Sequence, residues 1–93
     1  MQLQDDNKKT YISTAATTQV HTGQATLVAI VVGTTAAGTI GIIDNTSGTT
    51  VNVGLLASSV VENTYMFMCS MTKGIRIVTA AASKITVVYR AIS

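Results

Sequence analysis

Charge is what this chain has least of. Of its 93 residues, 11% are Asp, Glu, Lys or Arg, against about 25% in ordinary globular proteins. Between Thr10 and Thr72 the only formally charged side chains are Asp44 and Glu62. Proline and tryptophan are absent, and there is one cysteine and one histidine. Each shortage excludes something. A lone Cys69 cannot form an internal disulfide. His21 and four carboxylates scattered along the chain give no metal-ligand spacing, so no cofactor or metal is expected. A domain of this size buries about 60–65% of its unfolded surface. With disulfides and metals gone, oligomerisation is the remaining support for so small a core.

What is there is threonine, alanine, valine and isoleucine, with apolar residues at 47%. Threonine wets a surface without charge, and its branched Cβ favours strands. A Thr/Ala surface is covered by a neighbour at little desolvation cost, because few ions must shed water. The composition therefore points to an interface-rich protein. The net charge of +2 is uneven: Lys73, Arg76, Lys84 and Arg90 occupy the last 21 residues with no carboxylate among them. That pattern suits a basic face for an acidic partner, but the favoured reading is charges that keep exposed strand edges soluble.

The 19 uncharged residues from Ala25 to Ile43 nearly reach the length of a membrane-spanning helix. Gly33, Gly38 and Gly41 interrupt them, Thr34-Thr35 sits in the middle, leucine appears once, and Asp44 closes the run. The run reads as strands, and no membrane is expected. Asp5 and Asp6 precede any apolar stretch, against the order of a secretory leader. A soluble, unexported protein is expected.

Met1 to Lys9 is polar and aperiodic, and residues 1–13 are read as an N-terminal arm ahead of a single domain at 14–93. Thr10 to His21 includes a first strand, and Gln24 to Val32 is a buried strand. After the Gly33–Gly38 turn comes a strand from Thr39 to Asp44. "DNTSG" then supplies turn chemistry. Thr50 to Leu56 alternates with Val51, Val53 and Leu55 on one side. In Val60 to Cys69, Tyr65, Phe67 and Cys69 oppose Met66 and Met68. Ile75, Ile77 and Thr79 alternate with Arg76 and Val78, and Lys84 to Tyr89 closes the fold. Turns every 10–15 residues and no long amphipathic helix predict an all-β, antiparallel sandwich or barrel of seven or eight strands.

The chemical motifs are weak. Gly33-Thr-Thr-Ala-Ala-Gly38 has the glycine spacing of a phosphate loop, but Thr39 and Ile40 stand where the lysine belongs; a turn is expected. His21 has no acidic neighbour in sequence nearer than Asp6, 15 positions away (21 − 6 = 15). Cys69, in an apolar strand without an adjacent cation, reads as an inert buried thiol. Nothing in the spacing makes Asp44 and Glu62 a pair. Asn45-Thr46-Ser47 reads as turn chemistry. Four aromatics, mostly on apolar faces, do not make a nucleic-acid surface. Met66 and Met68 are expected as core filling, while Met71 joins them as a possible adaptable contact.

The succession "TGQATLVAIVV", "AGTIGIIDNTSGTT", "TKGIRIVT" and "ASKITVVYR", across residues 17–90, resembles small β-sandwich virion proteins of tailed bacteriophages. Ile43 stands before Asp44 where an aromatic is common in that group. The resemblance implies a virion structural protein, assembled in the host cytoplasm as a homotrimer or other homo-oligomer. Foremost is a capsid decoration (cement) protein that binds the major capsid protein or another virion protein. Tail, collar or fibre-base components share the sandwich, and a small carbohydrate-binding attachment module is the alternative of another class. The expected contacts are the arm residues Asp5, Asp6, Lys8, Lys9 and Tyr11 and the basic group Arg76, Lys84 and Arg90. No nucleic acid is expected as a partner, and no catalytic residue is assigned.

Overall fold

A computed structural model describes residues 7–91. Eight strands follow one another: β1 (Asn7–Ile12), β2 (Thr17–Thr22), β3 (Ala25–Thr34), β4 (Ile40–Ile43), β5 (Gly54–Leu56), β6 (Thr64–Met71), β7 (Gly74–Thr79) and β8 (Lys84–Ala91). They form two four-stranded antiparallel sheets, ordered β1-β8-β3-β6 and β2-β7-β4-β5. The expected all-β sandwich is what the chain forms. Strand pairs β1–β8, β2–β7, β3–β6 and β4–β5 are those of one long hairpin. Successive segments of that hairpin fall alternately into the two sheets, which is the winding of a jelly roll.

The core follows from period-2 alternation. β8 turns Ile85, Val87 and Tyr89 inward and Thr86 and Val88 outward, and β7 turns Ile75, Ile77 and Thr79 inward. Leu27, Ile30 and Val32 of β3 and Ile40 and Ile42 of β4 meet them between the sheets. The β3 alternation slips between Leu27 and Ala29. One extra residue there lets Leu27 and Ile30, three apart, share a face. Each large aliphatic side chain withdrawn from water contributes about 1.5–3 kcal/mol before the entropy of ordering it.

Several expectations are corrected. Residues 7–12 of the expected arm are strand β1, because Thr10 and Ile12 fall opposite Val87 and Ile85 on the inward side. Lys8 and Lys9, which made the segment look like a solvated tail, are exposed on an edge strand. Residues 1–6 of that arm lie outside the described residues. Only Gly54–Leu56 of the expected Thr50–Leu56 strand is strand, and Val51, Val53 and Leu55 are exposed. Met66 and Met68 are not core: they are 63% and 62% exposed, whereas Met71 is buried. The uncharged run from Ala25 to Ile43 forms β3 and β4, and no helix of the described residues is long and apolar enough to cross a membrane.

The two ends of the sandwich are sewn differently. At one end Thr79 of β7 anchors the β1–β2 connection: its hydroxyl donates to the Thr14 carbonyl (2.6 Å) and accepts from the Ala16 amide (3.0 Å). There too the 35–39 connection lies against residues 80–81, with the Ala80 amide donating to the Thr39 carbonyl (3.0 Å). Gly38 is required by that approach, since a Cβ on it would stand 2.7 Å from the Ala81 amide nitrogen and Cβ. This close contact is what the phosphate-loop spacing serves. Gly38→Ala should cost about 2 kcal/mol through overpacking and lower the thermal midpoint by about 10 °C, as measured by circular dichroism.

Candidate interaction surface

The opposite end carries the densest polar network. Asp44 follows β4, and its carboxylate reaches the β6–β7 turn. Oδ1 accepts from the amides of Lys73 (2.7 Å) and Gly74 (3.2 Å), and Oδ2 from that of Thr72 (2.9 Å). Asn52 closes the same loop, accepting from the Asp44 amide at 2.7 Å. Burial pushes the Asp44 carboxyl up, but the three amides and the nearby Lys73 charge outweigh it and hold its pKa below the ordinary 3.8. Asp44 and Glu62 do not meet. Glu62 serves the other end, accepting from the Thr35 amide at 3.2 Å.

Arg76 belongs to this network rather than to a free basic face. Its Nε donates to the Gly48 carbonyl (2.7 Å) and its Nη1 to Gln19 Oε1 (2.9 Å). Gln19 Nε2 in turn donates to the carbonyls of His21 (2.8 Å) and Asn45 (3.0 Å). The 44–53 connection is thereby drawn over the outside of the β2-β7-β4-β5 sheet. Val51 lies over Gly41, 2.8 Å from where a Cβ would be. Ile43, paired with Arg76 on the outward side, is accordingly only 1% exposed.

The other sheet has no such cover. On its outer face β1 and β8 place Lys9 opposite Val88, Tyr11 opposite Thr86 and Asn7 opposite Arg90. β3 and β6 continue the rows with Ala29 and Met66, Val31 and Thr64, and Thr26 and Ser70. Lys9, Tyr11, Lys84 and Arg90 therefore share one face, although the chain separates them by up to 81 positions (90 − 9 = 81). Lys84 and Arg90, six residues apart on β8, stand about 20 Å from each other. Uncharged side chains fill the space between them. Arg90 Nη2 donates to Asn7 Oδ1 at 3.2 Å. Neither described carboxylate stands on these four strands. Lys8 sits on β1 with its neighbours' opposite alternation, and Asp5 and Asp6 lie outside the described residues.

What this surface offers is broad contact. No pocket and no cluster of three metal-ligating side chains occurs among the described residues. His21 packs its ring against Tyr89, centroids 5.5 Å apart. Cys69 is half-buried, and burial pushes its thiol pKa up, away from a reactive thiolate. Of the three tyrosines, Tyr89 is buried and Tyr65 gives its hydroxyl to the Val61 carbonyl. Tyr11, 62% exposed, is the tyrosine whose ring lies largely in solvent. Met66, expected as core, instead lies on this face; its alternation against Tyr65 and Phe67 set it on the side opposite them without saying which side is outward. Compared with known protein families, curated proteins and solved structures, the chain matches none of them.

Because the folded pKa of Asp44 lies below its unfolded value, its contribution is fully present above pH 4 or so and is lost as pH falls through the folded value. Asp44→Asn should therefore cost about 1 kcal/mol at neutral pH, since water screens this partly exposed carboxylate, and the urea-unfolding curves of variant and native protein should converge in acid. Curves that stay parallel down to pH 2 would show that the carboxylate charge is not what holds the turn.

Proposed function

We propose that this protein is a structural component of a tailed-phage virion, a decoration protein that binds the head shell as a homo-oligomer, a trimer foremost. The observation that carries the reading is the bare β1-β8-β3-β6 face, apolar and hydroxylated at its centre and cationic at its margins. Such a face is inexpensive to desolvate, because its charges stand at the rim where water still reaches them. The jelly-roll winding recurs in virion and lectin domains, which is support by analogy of fold. The resemblance in "DNTSG" and "ITVVYR" adds to it. In this reading Lys9, Lys84 and Arg90 steer the face onto an acidic capsid surface, and Thr86, Val88 and Val31 form the dry contact. Repetition in an oligomer then multiplies a modest single contact through effective concentration.

The test is attachment to heads assembled from the same phage genome. The purified protein should occupy every equivalent position of the shell in cryo-electron micrographs. Density confined to one vertex or to the tail would instead assign it to collar, tail or fibre base. The variant Lys84→Glu/Arg90→Glu should bind heads at least about tenfold more weakly and with a flatter salt dependence. Unchanged binding and unchanged salt dependence would remove the basic margin from the contact.

A further inference from the structure

We infer that copies of this chain associate through the β5–β6 flank of the sandwich, with those flanks turned toward a shared symmetry axis. The inference deepens the homo-oligomer in the reading above and rests on it for biological purpose, but not for its own evidence. Seven large hydrophobic side chains are exposed among the described residues, and six of them fall between positions 51 and 68: Val51, Val53, Leu55, Val61, Met66 and Met68. The seventh, Tyr11, stands on the opposite edge. β5 and β6 are the edge strands of their sheets and lie side by side, a Cβ on Gly54 reaching to 3.7 Å from the Phe67 ring. The apolar residues therefore line the edge that β5 and β6 share, with Leu55 toward the outside of one sheet and Met66 toward the outside of the other.

The flank also lacks what protects the other one. β6 pairs with β3 alone and carries eight residues without a charge, whereas the β1 edge carries Lys8 and Lys9. Lysines on an edge strand deter pairing with another chain, and an uncharged edge invites contact. Met68, at φ 51°, lies in the irregular stretch between Leu27/Cys69 and Ala29/Met66. Such a bulge re-aims a side chain, and Met68 ends 62% exposed. Methionine adapts to whatever packs on it.

Charge selects a second copy as the occupant. From Asn45 to Thr72 the only charge is Glu62, already engaged with the Thr35 amide. A flank so nearly neutral does not repel itself, while the Lys9–Lys84–Arg90 face set against its own copy would. A foreign partner would find no charge pattern on the flank to read. Around a closed rotational axis each flank meets its neighbours' flanks, through the same patch in a two-fold pair and through adjoining parts of the flank in a ring, and the basic face is left outward for the particle.

Light scattering on the native protein and three variants tests this. The double variant Leu55→Lys/Met66→Lys charges the flank at two exposed positions, and Val61→Lys, outside every strand, charges it where folding is least disturbed. Tyr11→Lys is the control on the opposite edge. The expected result is a defined multimer for the native protein and for Tyr11→Lys, with monomers for both flank variants and an unchanged strand spectrum. A monomeric native protein overturns the inference. So does a multimer that survives Val61→Lys and the double variant, or one that Tyr11→Lys dissolves as readily. Failure to attach to heads, with the multimer and its sensitivity intact, counts against the virion reading and leaves this surface in place.

Discussion

The structure depends on one dry layer of aliphatic side chains between two small sheets. Isoleucine supplies most of it, with Leu27, Val32, Val87 and Met71, and Tyr89 is the one fully packed aromatic. Branched side chains fill a layer of about 10 Å without long rotamers to order. A core this thin leaves eight connected strands with a large share of surface, so the connections carry structure that a larger protein would leave to its core.

Those connections are tied by a few polar groups acting across the fold. Asp44 holds the β6–β7 turn with its carboxylate, Thr79 holds the β1–β2 connection with one hydroxyl, and Glu62 caps the start of the β3–β4 connection. Arg76 and Gln19 lay the 44–53 segment over one sheet. Most of the few charges in the middle of the chain are thus occupied in holding backbone.

That division makes the surface asymmetric. One sheet is covered by its own 44–53 segment, the other is bare and basic, and one flank is neutral and apolar while the opposite edge carries lysines. The two exposed regions differ in chemistry, one cationic and hydroxylated, the other neutral and apolar.

Much of this was legible in the sequence. Alternation located β3, β4, β6, β7 and β8 and named Ile75 and Ile77 as one face of β7 and Ile85 and Val87 as one face of β8. Alternation also showed that Met66 and Met68 oppose Tyr65 and Phe67, and that Val51, Val53 and Leu55 share a side. It could not say which side is inward, because period 2 distinguishes two faces without orienting them. The packing of the other sheet made that choice, sending the methionines and those valines out. Strand β1 was hidden by its lysines, since edge strands and solvated tails share composition. Lys9, Tyr11, Lys84 and Arg90 came together, and Arg76 was drawn away, through pairings between distant parts of the chain. Local sequence carries the propensity to be a strand; only the closing of the jelly roll decides which strands become neighbours, because that depends on where every other apolar face is buried.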